Sequence, residues 1–180
     1  MNSHFREQLG YTKVLCLSAR PNSTLMWSHY ADAHRGVVLR FRSIPAFDSQ
    51  FGVARPVNYV QEVPLFNTED EIIEFMGGGS VPAPATLADR FILTKHISWS
   101  YENEWRLQAG HGRDKTAKFE DVGFGRNELD GIIFGLNASS DDQRAIVSLA
   151  KAYPNATLFK SVKVGTSFDL MIKEVTSDLF

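Results

Sequence analysis

In "SYENEWRL", residues 100–107, two glutamates and an arginine alternate with side chains that can anchor a strand. As a strand, the segment sends Glu102, Glu104 and Arg106 to one face and Tyr101, Asn103, Trp105 and Leu107 to the other. The two carboxylates then lie about 7 Å apart, with a guanidinium beside them. Like charges held that close push one carboxyl pKa up unless Arg106 compensates, and such pairs occur at acid–base and charge-stabilising sites. The alternative is a solvated strand face whose ion pair contributes little. Glu102 and Glu104 are therefore candidate catalytic residues, and Arg106 is a candidate partner for an anionic group.

A second stretch, "LMWSHYADAHRG" over residues 25–36, combines two aromatics, two histidines and an aspartate. At helical spacing Leu25, His29 and Asp32 share one stripe, Trp27, Ala31 and His34 the next, and Met26, Tyr30 and Ala33 a third. Apolar or aromatic groups therefore occur nearly all round, which predicts a largely buried helix, capped by Ser23 or Thr24 and ended by Gly36. Buried His29 and Tyr30 would need partners for their polar atoms, and Glu104 and Arg106 are candidates. A metal site needs at least three converging ligands, and His29 and His34 at i, i+5 do not face one ion, so no metal is expected.

The elements that must position these residues follow from local patterns. "KVLCLSA" reads as a buried strand with Cys16 in the core, broken by "RPNS"; "GVVLRF" reads as a strand returning toward it, and "PVNYV" as a further strand. "NTEDEIIEFM" and "TLADRFILTKHI" read as helices, separated by "GGGSVPAPA", whose residues 77–85 form a flexible Gly/Pro loop. "SYENEWRLQAG" and "AKFEDVGF" read as a hairpin joined at "HGRDKT", and "DGIIFG" as an apolar strand framed by glycines. "SSDDQRAIVSLAKAYP" is the clearest helix, with Ser139 or Ser140 as cap, Asp141 and Asp142 in its first turn and Ile146, Leu149, Ala150 and Tyr153 as its buried stripe. "ATLFKSV" and "FDLMIKEV" complete the strands. The order predicts an α+β fold in a single domain over 1–180, with a mixed or antiparallel sheet, about four helices packed against it and an N-terminal helix or arm at 1–12.

With 180 residues, of which 43 % are hydrophobic, the chain can bury a sizeable core. Its apolar runs are too short to cross a bilayer, its N-terminus lacks the apolar core of a secretory signal, and one cysteine suits a reducing cytoplasm. A net charge of −2 makes nucleic acid an unfavoured partner. Charge is uneven: residues 1–60 carry Arg6, Lys13, Arg20, Arg35, Arg40, Arg42 and Arg55 against Glu7, Asp32 and Asp48, whereas 61–74 carry five acidic residues and no basic one. This is either a solvated acidic helix beside a mildly basic surface or a basic groove for a phosphorylated or otherwise anionic ligand. Phosphate-loop, dinucleotide, HExxH, paired CxxC and nucleophile-elbow signatures are absent.

The segments "VLCLSA", "LMWSHYADAHRGVVLRF", "VNYV", "LTKHISWSYENEWRL" and "DGIIFG", in that order, resemble the bacterial family called domain of unknown function 2971, over roughly residues 13–136. The resemblance implies that Trp27, His29, Tyr30, His34, Gly36, Lys95, Trp99, Glu102, Glu104, Trp105 and Arg106 are pattern positions of that family, with Trp27, Lys95 and Trp99 as ligand-binding candidates beside Arg106. Family members usually begin with a further segment containing Asn-Asp-Pro, which this sequence lacks, so a shortened form or a function independent of that segment is expected. "YENEW" is also similar to the Glu-x-Glu turn of arginine-directed ADP-ribosyltransferases. That similarity implies Glu104 in the catalytic place, Glu102 in the acceptor-directing one, Ser18 as a counterpart of the serine that helps hold NAD, and NAD as a candidate cofactor; the upstream basic residue has no match.

Two functions follow. One is a cytoplasmic transferase or glycohydrolase-like enzyme acting on a nucleotide or NAD, with Glu104 as acid or charge stabiliser and His29 and Tyr30 positioning the ligand. The other is a non-catalytic module for a protein partner, in which the same residues form a structural network. A toxin or phage-defence setting fits either.

Overall fold

The computed structural model describes residues 12–63, 69, 72–73, 90–108, 110, 112–114 and 116–179. The expected N-terminal arm before residue 12, most of the acidic helix, the Gly/Pro loop at 77–85 and the start of the "TLADRFILTKHI" helix lie outside them. The fold is α+β, and its strands form three sheets where one was expected. The chain divides into two compact units, Met1–Ser18 with Ala54–Val122 and Ala19–Val53 with Gly123–Phe180.

The first unit holds a three-stranded antiparallel sheet in the order β1-β6-β3, formed by β1 (Val14–Ser18), β3 (Arg55–Pro56) and β6 (Glu104–Gln108). A parallel pair, β4 (Asn58–Val60) with β5 (Thr94–His96), joins it. The expected hairpin does not form: residues 117–124 are not a strand, and β6 pairs with β1 and β3. Residues 90–92 are helical, but Thr94 and Lys95 leave the expected helix for β5.

The second unit is built on a four-stranded sheet in the order β2-β7-β8-β9. Its strands are β2 (Val37–Phe41), β7 (Leu129–Phe134), β8 (Thr157–Val162) and β9 (Met171–Glu174). β2 pairs with β7, not with β1 as expected, and β7 and β8 run parallel because helix α2 (Ser140–Ala150) crosses between them. Alternation along β7 supplies both faces. Ile133 faces Trp27 and Ala31, with Val38 and Phe159 packed alongside, while Ile132 and Phe134 join Ile146, Val147, Ala150 and Tyr153 in a second cluster. Ile146, Ala150 and Tyr153 thus pack as expected, whereas Leu149 is 70 % exposed and Val147 packs in its place. Ser139 caps α2 as expected, its hydroxyl accepting from the Asp142 N–H.

Candidate functional site

The charged segment is not one strand. Residues Ile97–Glu102 wind into a 3₁₀ helix, and Asn103 takes a left-handed conformation with φ 44°, a region that asparagine tolerates better than most residues. β6 therefore starts at Glu104, and Glu102 does not share a strand face with Glu104 and Arg106 as expected. A lysine unites the carboxylates instead. Lys95 on β5 donates to the Glu102 carboxylate and, at 3.1 Å, to Glu104 Oε2, with its ammonium 5.0 Å from the Trp99 ring centroid.

Arg106 completes the cluster by binding Glu104 through two parallel bonds, Nε to Oε1 at 2.7 Å and Nη2 to Oε2 at 3.1 Å, and by donating Nη1 to the Ile92 carbonyl. Glu104 is 6 % exposed and Glu102 2 %. The backbone around them is also satisfied: Ser18 Oγ donates to the Glu102 carbonyl at 2.6 Å, and the Glu104 N–H donates to the Tyr59 hydroxyl at 2.8 Å. Two carboxylates and two cations thus balance in a site whose polar groups hold one another.

The register β1–β6 sets Cys16 opposite Arg106 and Ser18 opposite Glu104, so all four share one sheet face. Cys16 is exposed, which corrects its expected place in the core. Burial of its thiol, and then its bond to the Glu104 carboxylate, push its pKa up to about 11. Burial pushes the Glu104 carboxyl up, but bonds from Arg106, Cys16 and Lys95 outweigh that effect and hold it at about 2. Burial likewise opposes the charge on Lys95 and Arg106, and their carboxylate partners more than offset it, leaving both raised. At neutral pH Glu104 is therefore a carboxylate, Cys16 a neutral thiol, and Lys95 and Arg106 are cations. Glu104 has no proton to give, and Cys16 is not a thiolate nucleophile.

Trp27, His29 and Tyr30 belong to the second unit, on α1 (Thr24–Tyr30). The helix is shorter than expected and not largely buried. Trp27 is core at 1 % exposure, its Nε1 donating to the Pro21 carbonyl at 2.8 Å, while His29 is exposed and Tyr30 is 63 % exposed. The helix ends because Asp32, Ala33 and His34 all take positive φ, at 47°, 50° and 67°. A left-handed turn costs about 1–2 kcal/mol per residue, and contacts specific to this turn offset it. Asn137 donates its N–H to the His34 carbonyl at 2.9 Å and its side chain to the Ala33 carbonyl at 3.1 Å. Arg35 binds the Asp32 carboxylate, and the His34 ring stacks on Trp27 at 6.3 Å with 7° between planes. A Cβ on Gly135 would lie 2.1 Å from the His34 oxygen, so the close approach requires glycine.

Ser18, Lys95, Trp99, Glu102, Glu104 and Arg106 therefore meet in the first unit, and Trp27, His29 and Tyr30 lie together on one helix of the second. Sequence reasoning missed Tyr59 and Cys16 as members of the charged cluster; Tyr59 sits in the "VNYV" segment of the family resemblance, which was the available signal. Among the described residues no group of three or more His, Cys, Asp and Glu could hold a metal ion, and no helix is long and apolar enough to cross a membrane.

Neither a curated protein nor a solved structure matches the chain. Residues 26–107 match the model of the family described as protein of unknown function (DUF2971), so this segment is similar to the family that its motifs resemble.

Proposed function

We propose that the protein is a non-catalytic interaction module in which the Lys95–Glu102–Glu104–Arg106 cluster is structural. One observation carries this reading: both oxygens of Glu104 are taken by Arg106 and Lys95 while the residue is 6 % exposed. A transferase acting on NAD or another nucleotide would need that carboxylate to reach a ribose or a leaving group, and a carboxylate held at about 2 between two cations is poorly placed to do so. Recognition of a protein partner falls instead to surfaces that packing leaves open. His29 and Tyr30, both pattern positions in the family resemblance, meet solvent on α1. A cytoplasmic setting suits a chain whose one cysteine stays a neutral thiol.

The test is incubation of the purified protein with NAD, following nicotinamide release, in parallel with the Glu104→Gln variant. The expected result is no release above buffer from either protein, with a lower unfolding temperature for Glu104→Gln. Release by the parent that Glu104→Gln abolishes would restore the transferase reading.

A further inference from the structure

The basic residues of the first third of the chain are not equivalent. Lys13 donates to the carbonyls of Asp114 and Ala117, Arg35 binds Asp32, and Arg40 pairs with Asp130 at 2.7 Å while its guanidinium lies 4.4 Å from the Phe159 ring centroid. Unlike Arg35 and Arg40, Arg42 pairs with no carboxylate among the described residues. It is nevertheless fixed in place. Its Nε donates to the Asn127 carbonyl at 2.9 Å, and its backbone N–H donates to the Glu128 carbonyl at 2.9 Å. The Asn127 side-chain oxygen accepts from Asn155 Nδ2 at 3.1 Å, which turns the Asn127 amide so that its NH₂ is left as a donor.

Arg42, Ser43 and Asn127 line a cleft of about 420 Å³ in the second unit together with Ile44, Pro45 and Phe47. That volume lies in the range of small-molecule sites. No acidic side chain lines it, and Phe47 presents a ring that is 69 % exposed. Pre-oriented donors without a counter-charge select an oxyanion, and an exposed ring beside them selects a planar apolar group attached to it. We propose that this cleft binds a small ligand carrying one oxyanion on or near a planar ring, held by Arg42 and Asn127 at the anion and by Phe47 at the ring. The site is separate from the Glu104 cluster and does not depend on its being structural.

The oxyanion could be a phosphate or a carboxylate, and the probes separate the two. Amide and side-chain ¹⁵N–¹H spectra of the full chain are followed during titration with adenosine monophosphate, benzoate, adenosine and inorganic phosphate. The Arg42 Nε–H and Asn127 Nδ2–H signals are expected to move with adenosine monophosphate, benzoate or both, with at least about tenfold tighter binding than adenosine or phosphate alone. A response to adenosine monophosphate only assigns a ring-bearing phosphate, and to benzoate only a ring-bearing carboxylate. Arg42→Gln and Asn127→Asp should each weaken binding about tenfold. Phe47→Ser, at a side chain that adds little to packing, should weaken it while leaving the spectrum otherwise folded. Silence of these signals toward both ring-bearing anions, binding of adenosine as tight as that of its monophosphate, or undiminished binding in Arg42→Gln and Phe47→Ser would overturn the proposal.

Discussion

The helix containing Trp27 is rich in aromatic and histidine side chains, yet it gives only Trp27 to the core and turns His29 and Tyr30 to solvent. The segment around Glu104 is rich in charge, yet it buries Glu102 and Glu104 almost completely. The helix was expected to be largely buried, and for the charged segment a solvated strand face was one of two alternatives. The difference follows from where partners are available. A carboxylate can leave water when a bidentate arginine and a lysine converge on it, and burial without them would cost several kcal/mol. A histidine or tyrosine with no such requirement can stay on a surface, where its ring needs no explanation from packing.

Replacing Trp27 tests the apolar half of this contrast and should have the largest effect. Trp27→Ala removes a ring that is 1 % exposed against Ile133 and Leu170, and is expected to cost about 3–5 kcal/mol in urea denaturation. Acid titration tests the charged half. Because the folded Glu104 pKa lies near 2 against an ordinary 4.5, the unfolded state binds more protons in that interval, so the cluster's contribution is complete above about 4.5 and is lost as pH falls toward 2. The Glu104→Gln variant should lose less stability than the parent across that window.

Cys16 sharpens the same point by kinetics. The residue is exposed, but burial of its thiol and the bond to Glu104 hold it at about 11 against an ordinary 9.0, so at pH 8 its alkylation by iodoacetamide should be about a hundredfold slower than that of the unfolded chain. Equal rates would mean that neither burial nor the bond to Glu104 holds the thiol proton. The smallest effect belongs to the exposed pair: His29→Ala and Tyr30→Ala should each change stability by less than about 0.5 kcal/mol, read from the urea midpoint. A larger loss would place those side chains in the fold and not on a recognition surface.

Much of the second unit was legible because its signals are local. Glycine frames and an unbroken apolar run mark β7, and Ser139 with Asp141 and Asp142 marks the start of α2. One position of that helix's stripe was harder to read, since Val147 and Leu149 are both apolar and only the cluster around Phe134 decides between them. The two motif segments resisted for a different reason. Asn103 and the run Asp32–Ala33–His34 adopt left-handed backbones that propensity does not announce, and the turn at 32–34 is held by Asn137 and Gly135, a hundred residues away. Charge-partner choice was also non-local: the pairing of Glu104 with Arg106 could be read from i, i+2 spacing, whereas Lys95 entered because its segment extends as β5 instead of coiling.

In the reading proposed above, Glu104 holds the first unit together through its ion pairs. The direct measurement is the unfolding free energy of Glu104→Gln relative to the parent, in urea at pH 7, read from the fluorescence of Trp99 and Trp105. Leaving Arg106 and Lys95 without that carboxylate should cost about 3 kcal/mol or more. A variant as stable as the parent would contradict the claim.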